Sequence, residues 1–446
     1  MGCTMRPPVV PLIAAALFAG VCVTDVMAQR PDAFVVSRDH PSIEYSTRPV
    51  NNAVSNLNRK IQDGTVRLTF DGPSGYLRSA LEAFNIAVES QVAVFAANSF
   101  QGGRVSPRNP RAVFFADSVA IGWVRGGPIL EVAAQDPQQG VIFYTLDQQK
   151  ADTPQFTRHE DCLACHLSWD TLGVPGLFVL SAFPLPEDKN AYASGFVSDH
   201  RASLELRWGG WYVTGRPGTV QHMGNVFSAK PAGSGGPTTK PTDVTPELKS
   251  LDGQFDVEGY PSHFSDVVAL MVLEHQTRMT NLITRVGWES RLASYEERTT
   301  DAAPLTAPRD RRDRAARVRD AAQDLVDYLL FVDEAPFAGK VQGSSGFSEK
   351  FSAQGPRDGK GRSLRQLDLD HRLMRYPCSY MIYTDAFDAL PASAKDFVYK
   401  RMWQVLSGEA KESRYTRLSV ADRQAIVEIL RDTKKDLPEY FYPVTR

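Results

Sequence analysis

The sequence has few cysteines, almost no net charge and no apolar run long enough to span a membrane. Its 446 residues include five cysteines, and 50 Lys and Arg residues nearly balance 52 Asp and Glu residues. The chain therefore has no overall field that would attract nucleic acid or an anionic membrane, and we expect no nucleic-acid partner. Because 42% of the residues are hydrophobic, disorder of the whole chain is also excluded.

Residues 1–28 have the pattern of an export signal. Arg6 supplies the positive charge, an apolar run follows over residues 9–23, and Val26 and Ala28 stand at the −3 and −1 positions of a cleavage site. The run is shorter than the ~20 residues that a bilayer-spanning helix needs. We therefore expect a periplasmic or secreted protein that begins near Gln29 and has no integral membrane span. The alternative is a retained membrane anchor.

Hydrophobic patterning divides the remaining chain in two. Residues 29–62 show little periodicity and are predicted to be an extended lead-in, and residues 231–245 are a low-complexity linker. The region between them, 63–230, is β-rich, and residues 246–446 are mainly helical. The predicted strands cover 66–70, 91–96, 112–124, 129–134, 141–146, 176–183 and 211–214. The predicted helices begin with one at Leu77 and continue over 264–286, 312–333, 392–407 and 419–432. The expected fold class is α+β.

One pentapeptide carries the chemistry: Cys162-Leu-Ala-Cys-His166. In an exported protein, CxxCH is the attachment signature of c-type haem: the two thiols add to the porphyrin vinyl groups and the histidine coordinates the iron. From the composition, chance produces about 0.001 such motifs per chain. We therefore predict one covalently attached haem c, bound by Cys162, Cys165 and His166, with His166 as an iron ligand. The fifth cysteine, Cys378, is predicted to be a buried thiol.

The motif has three other interpretations. A thioredoxin-like redox pair begins a helix in a βαβ unit, and no such unit is visible. A zinc site would need more ligands, but Cys378 is the only other cysteine after the export signal, and no second CxxC is present. A structural disulfide would leave His166 without a role.

The second iron ligand is less constrained by the sequence. His222 is the first choice because it lies in a glycine-bounded loop, where Met223 beside it is the second candidate. His275, on the apolar face of a predicted helix, is the third, and an open iron position is the fourth alternative. Arg207 and Arg216, which flank Trp208 and Trp211, are candidates to bind the haem propionates, and aromatic packing of that segment is the competing interpretation.

The chain resembles a group of large, exported bacterial proteins that contain a cytochrome c domain. The segments that carry the resemblance span most of the chain after the signal: 122–128, 141–147, 162–166, 209–225, 275–281 and 375–408. It implies covalent haem at Cys162, Cys165 and His166 and a role in electron transfer, without naming a substrate. Unlike in the small helical cytochromes c, the haem motif lies in the middle of the chain.

The expected function is therefore that of an exported monohaem c-type cytochrome that passes single electrons to a redox partner protein. Its length exceeds what a simple electron carrier needs, which favours two alternatives. One is a haem-dependent oxidoreductase of the peroxidase or oxidase type. The other is a haem sensor or docking subunit of a larger redox complex.

Overall fold

A computed structural model describes residues 38–182, 195–219, 221–226, 247–300 and 309–442; of residue 300 and residues 309–313 it describes the backbone. The predicted export signal (1–28) and the predicted linker (231–245) lie outside these ranges. Within the described ranges, no helix is both long and apolar enough to cross a membrane.

The first half of the chain builds a seven-stranded antiparallel sheet. The strands of the molecule are β1 Val92–Val94, β2 Arg111–Ala116, β3 Val119–Trp123, β4 Ile129–Asp136, β5 Gly140–Asp147, β6 Thr157–Arg158, β7 Val179–Ala182, β8 Gly195–Ser198, β9 Trp211–Tyr212, β10 Arg216–Pro217 and β11 Val341–Gln342. The strand order of the large sheet is β6-β5-β4-β3-β2-β1-β9, and two further two-stranded sheets are β7-β8 and β10-β11. Each predicted strand after residue 90 therefore overlaps an observed strand, and 112–124 overlaps two.

The second half is mainly helical, as predicted, so the mixed α+β class is confirmed. Two helices precede the sheet, and a one-turn helix follows β6. The helices are α1 Ala53–Gln62, α2 Leu77–Ala83, α3 Leu163–His166, α4 Val267–Thr300, α5 Arg309–Leu329, α6 Phe347–Ala353, α7 Asp385–Asp388, α8 Ala392–Leu406 and α9 Val420–Thr433. Helix α9 begins after Ser419, whose Oγ accepts a hydrogen bond from the Asp422 amide at 3.0 Å.

Two expectations for the N-terminal region are wrong. Residues 53–62, predicted to be part of an extended lead-in, form α1, because Asn52 and Ser55 cap its start reciprocally and Val54, Leu57 and Ile61 bury one face. Residues 66–70, predicted to be a strand, belong to no strand. Their alternating pattern has no neighbouring strand to pair with, and pattern alone does not make a sheet.

The large sheet is covered on both faces. On one face Phe114, Ile121 and Val132 pack with α1 and α2 in a single hydrophobic cluster. On the other face the strands meet α4, where Leu273 and Thr280 approach the sheet around a cavity of about 10 Å³. Helix α4 covers only part of this second face. Arg111, Gly122 and Glu131 lie on the part that α4 does not cover, and the CxxCH segment lies beside them.

Candidate functional site

The CxxCH segment is a tight turn that presents its two cysteines toward the surface. Residues Glu160–Cys162 form a 3₁₀ turn that leads into α3. Leu163 is buried in the core beneath the sheet and holds the turn in place. Cys162 is half-buried and Cys165 is exposed, and both are free thiols. The turn therefore leaves Cys165 accessible to covalent modification and Cys162 partly accessible.

The imidazole of His166 makes a hydrogen bond through one ring nitrogen only. Its Nδ1 lies 2.9 Å from the Gly176 carbonyl, which can only accept, so Nδ1 carries the ring proton. The ring lies between Phe143 and Phe178, with centroid distances of 4.8 and 5.3 Å. Burial lowers the pKa of His166 to about 4, so the ring is neutral at pH 7. Nε2 therefore keeps a free lone pair, which is the state a metal ligand requires.

The loop that holds His166 is itself anchored to the sheet and to α4. Asn281 accepts a hydrogen bond from the Leu177 amide at 3.0 Å and donates one to the Leu177 carbonyl at 2.7 Å. The Pro175 carbonyl accepts from the Val141 amide of β5 at 3.0 Å. Gly176 leaves no room for a side chain, because a Cβ there would lie 2.7 Å from Cγ of Asn281. The position of His166 is thus imposed by three separate parts of the chain.

An ion pair lies beside the motif on the same face of the sheet. Arg111 on β2 reaches across β3 to Glu131 on β4, with 2.5 Å between Nη2 and Oε2. Gly122 on β3 makes this possible, since a Cβ there would be 2.6 Å from Cζ of Arg111. Burial and the charge of Glu131 raise the pKa of Cys162 to about 11, while Arg111 acts in the opposite direction.

Exposed aromatic rings surround the motif. Trp169 and Phe100 keep 69% and 60% of their surface exposed, more than any other aromatic residue in the described ranges. Phe100 packs edge-on against His159, whose buried Nδ1 has no hydrogen-bond partner among the described residues. We call the region formed by Cys162, Cys165, His166, its two phenylalanine neighbours and the Arg111–Glu131 pair the motif site.

The structure places His222 and Met223 near the β9 edge of the large sheet, away from the CxxCH segment. His222 packs against Trp208, which precedes β9, whereas His166 packs against β5; β4, β3, β2 and β1 lie between these two strands. Nδ1 of His222 accepts a hydrogen bond from the Gly224 amide at 3.0 Å. Burial lowers the pKa of His222 to about 4, so the ring is neutral with its proton on Nε2. The geometry brings neither His222 nor Met223 to His166.

His275 belongs to a second buried cluster. Its Nδ1 lies 2.9 Å from Nδ1 of His200, and its Nε2 lies 2.7 Å from Oγ of Ser379. Both ring nitrogens are thus engaged with protein groups. The preceding residue, Glu274, accepts hydrogen bonds from Arg207 at 3.1 Å and from Ser198 at 2.5 Å. We call His200, His275, Glu274, Arg207 and their serine partners the histidine centre.

The segment around Trp208 has a structural role. Arg207, a candidate for binding a haem propionate, is 2% exposed, pairs with Glu274 and donates to the carbonyls of His200 and Ala202. Arg216 is exposed and lies 3.5 Å from Glu247. Trp208 and Trp211 are buried in the core. Arg207 is therefore engaged by a buried carboxylate, and the burial of Trp208 and Trp211 agrees with the aromatic-packing interpretation.

The described residues contain no cluster of three or more His, Cys, Asp or Glu side chains arranged to hold a metal ion. This finding concerns sites built entirely from protein ligands, whereas a porphyrin supplies four of the ligands to its own iron. Comparison of the chain with protein-family models, with curated proteins and with solved structures finds no match.

Proposed function

We propose that this protein is an exported monohaem c-type cytochrome that transfers electrons through one covalently attached haem c. The observation that carries the proposal is the state of His166: its Nδ1 proton is held by the Gly176 carbonyl, and Nε2 is left free to bind iron. A carbonyl partner on the second nitrogen is the usual support for a ligating histidine, because it fixes the tautomer and the ring orientation.

The residues present fit a haem. Cys162 and Cys165 would hold the porphyrin through thioether bonds, each formed by addition of S–H across a vinyl C=C bond, and His166 would bind the iron. Bound in this way, the haem supplies reversible one-electron chemistry. The chain's own contribution is to orient His166 through Gly176 and Asn281. The exposed rings of Phe100 and Trp169 offer apolar surface beside it.

A second candidate function, a haem-dependent oxidoreductase, is favoured by the positions of the other proposed ligands. Both nitrogens of His275 contact protein groups, and Nδ1 of His222 accepts a backbone hydrogen bond. With these side chains engaged elsewhere, the iron position opposite His166 would remain open to a small molecule. His159 is the other histidine close to the motif, three residues before Cys162.

Covalent attachment is tested by producing the chain in a host that matures c-type cytochromes and recording a pyridine haemochrome spectrum of the denatured protein. We expect one haem per chain. The Cys162→Ser, Cys165→Ser double variant should lose it completely, whereas Cys378→Ala, which removes a thiol buried in the helical core, should keep it. A wild-type protein without covalent haem would contradict the proposal.

The two candidate functions differ in the coordination of the iron. A six-coordinate, low-spin spectrum that persists in the presence of carbon monoxide supports the electron carrier. A high-spin spectrum that changes on addition of cyanide or carbon monoxide supports the oxidoreductase. Replacing His159, His222, Met223 and His275 one at a time by alanine should abolish a low-spin spectrum for only one of them. From the geometry, we expect His222→Ala and His275→Ala to leave the spectrum unchanged.

A further inference from the structure

A basic pocket lies between the first described segment of the chain and α4. Its volume is about 340 Å³, within the range of ~300–1,000 Å³ typical of small-molecule sites. The polar residues that line it are Ser42, Arg48, Arg291, Ser294, Tyr295 and Arg298. Among the described residues that line the pocket none carries a carboxylate. Three guanidinium groups therefore share one concave surface.

The arginines are held close together despite their like charges. Arg48 donates from Nη1 to Oε1 of Gln138 at 2.8 Å, and Arg291 donates to the backbone carbonyl of the same residue. Gln138 lies in the β4–β5 turn and so fixes both side chains at the pocket. Arg298 has no hydrogen-bond or ion-pair partner among the described residues and is exposed.

Little negative charge offsets this cluster. The ion pair of Arg48 is with Glu44, at 3.1 Å, and that carboxylate is half-exposed, so solvent weakens the interaction. Burial and the charge of Arg48 lower the pKa of Arg291 to about 10, while Asp136 acts in the opposite direction. Because the whole chain is close to neutral, a local excess of positive charge is not a consequence of its composition. Two carboxylates, Glu44 and Asp136, act on three arginines, and an anion would relieve the remaining repulsion.

We propose that Arg48, Arg291 and Arg298 form a binding site for a small, multivalent oxyanion of the phosphate or carboxylate type. Guanidinium groups bind such oxygens in pairs through parallel N–H donors. The hydroxyls of Ser42 and Ser294 and the ring of Tyr295, which packs edge-on to His40 at 4.8 Å, complete the walls. The site is separate from the motif site and does not depend on the proposed haem.

The test is calorimetric titration of the purified full chain with sodium pyrophosphate in a buffer of low, fixed ionic strength. We expect saturable binding of one pyrophosphate per chain. Arg298→Gln and Arg291→Gln should each weaken binding at least about tenfold, the usual effect of losing a charged hydrogen bond. Arg319→Gln removes the same charge from an exposed position on α5 and should leave binding unchanged. Arg298 is exposed, so its variant is expected to fold, and a thermal melt checks this.

Absence of saturable binding to the wild type, or equal binding by wild type and Arg298→Gln, would overturn the proposal. A second arm identifies the source of the oxyanion through sedimentation with phosphatidylglycerol vesicles. Vesicle binding that pyrophosphate displaces assigns the site to a lipid headgroup. Pyrophosphate binding without vesicle binding assigns it to a soluble ligand.

Discussion

The motif site and the histidine centre contain the same kinds of residue but use them differently. Each has a histidine and an Arg–Glu ion pair. In the histidine centre the pair Arg207–Glu274 is almost fully buried, with 2% and 0% of the side chains exposed; in the motif site Arg111 and Glu131 keep 25% and 14%. His275 has protein partners on both nitrogens, whereas His166 has one on Nδ1 only.

The two sites differ in how much hydrogen-bonding capacity they leave unused. Buried polar groups stabilise a fold when their hydrogen-bonding capacity is satisfied inside the protein. In the histidine centre, the buried Nε2 of His200 has no hydrogen-bond partner among the described residues. In the motif site the unused groups are the lone pair on His166 Nε2, two free thiols and the buried Nε of Arg111, which has no hydrogen-bond partner in the described ranges. Because the ion pair of the histidine centre is the more deeply buried of the two, we expect removal of one of its partners to cost more stability.

The largest difference between the two regions is expected in the rates at which their thiols react. These rates are measured on protein produced without haem attachment. Cys165 is exposed and should react with iodoacetamide first. Cys378 lies in the same core as the histidine centre, and burial raises the pKa of its thiol. It should react only through unfolding, at least about a thousandfold more slowly. Mass spectrometry of digests sampled over time measures both rates. Comparable rates would contradict the assignment of Cys378 to a closed core.

The next largest effect is expected from breaking the buried ion pair. Glu274→Ala leaves the Arg207 guanidinium buried without its carboxylate, which should lower the free energy of unfolding by about 3–5 kcal/mol. The matched control is Asp324→Ala. Asp324 on α5 pairs on the surface with Arg285 on α4, the helix that carries Glu274, and the two ion pairs have the same 3.1 Å separation. That variant should lose less than about 1 kcal/mol. Urea denaturation measures both; equal losses would show that burial does not distinguish the pairs.

The motif and the order of elements could be predicted from the sequence because both depend on local pattern. CxxCH is five consecutive residues, and the strands over 112–124 and 129–146 are apolar runs bounded by turn residues. The neighbours of the motif could not be predicted. Gly122 and Asn281 lie 44 and 115 residues from His166 in the chain, and only the folded sheet and α4 bring them to it.

The choice of a second iron ligand illustrates the same limit. His222 stands in a glycine-bounded loop beside a methionine, a pattern that fits a ligand loop. Sequence pattern does not show which nitrogen of a ring is already engaged or which strand the ring packs against. His159 is not among the sequence-predicted ligands, yet it lies three residues before the motif and its ring contacts Phe100. Helix α1 was missed for a related reason, since its cap at Asn52 precedes a short helix with few apolar residues.

The acid stability of the protein tests whether His275 is held neutral. Burial lowers its pKa to about 3, whereas a histidine in the unfolded chain has a pKa of about 6.5. The stabilising effect is therefore complete above pH 6.5. As the pH falls below that value the unfolded state alone gains a proton, and stability should fall by about 1.4 kcal/mol per pH unit.

Urea unfolding curves between pH 7.5 and 4.5 measure this dependence. In the His275→Gln variant, the free energy of unfolding should depend less steeply on pH than in the wild type, by about 1.4 kcal/mol per pH unit below pH 6.5. His371→Gln is the control, because it removes an exposed imidazole, with 86% of its side-chain surface accessible. A wild-type slope in the His275→Gln variant would mean that this imidazole is already charged in the folded protein.

The smallest effect is expected in the motif site itself, at Gly122. An alanine Cβ there would lie 2.6 Å from Cζ of Arg111, so the guanidinium must move away from Glu131. Because this pair is partly exposed, water can take over its hydrogen bonds, and we expect a loss of about 1–3 kcal/mol from crowding. Gly103→Ala is the control: a Cβ at Gly103 meets nothing within 4 Å. If both variants unfold at the same urea concentration, Arg111 is not packed over β3, and the two Arg–Glu pairs differ less than their burial implies.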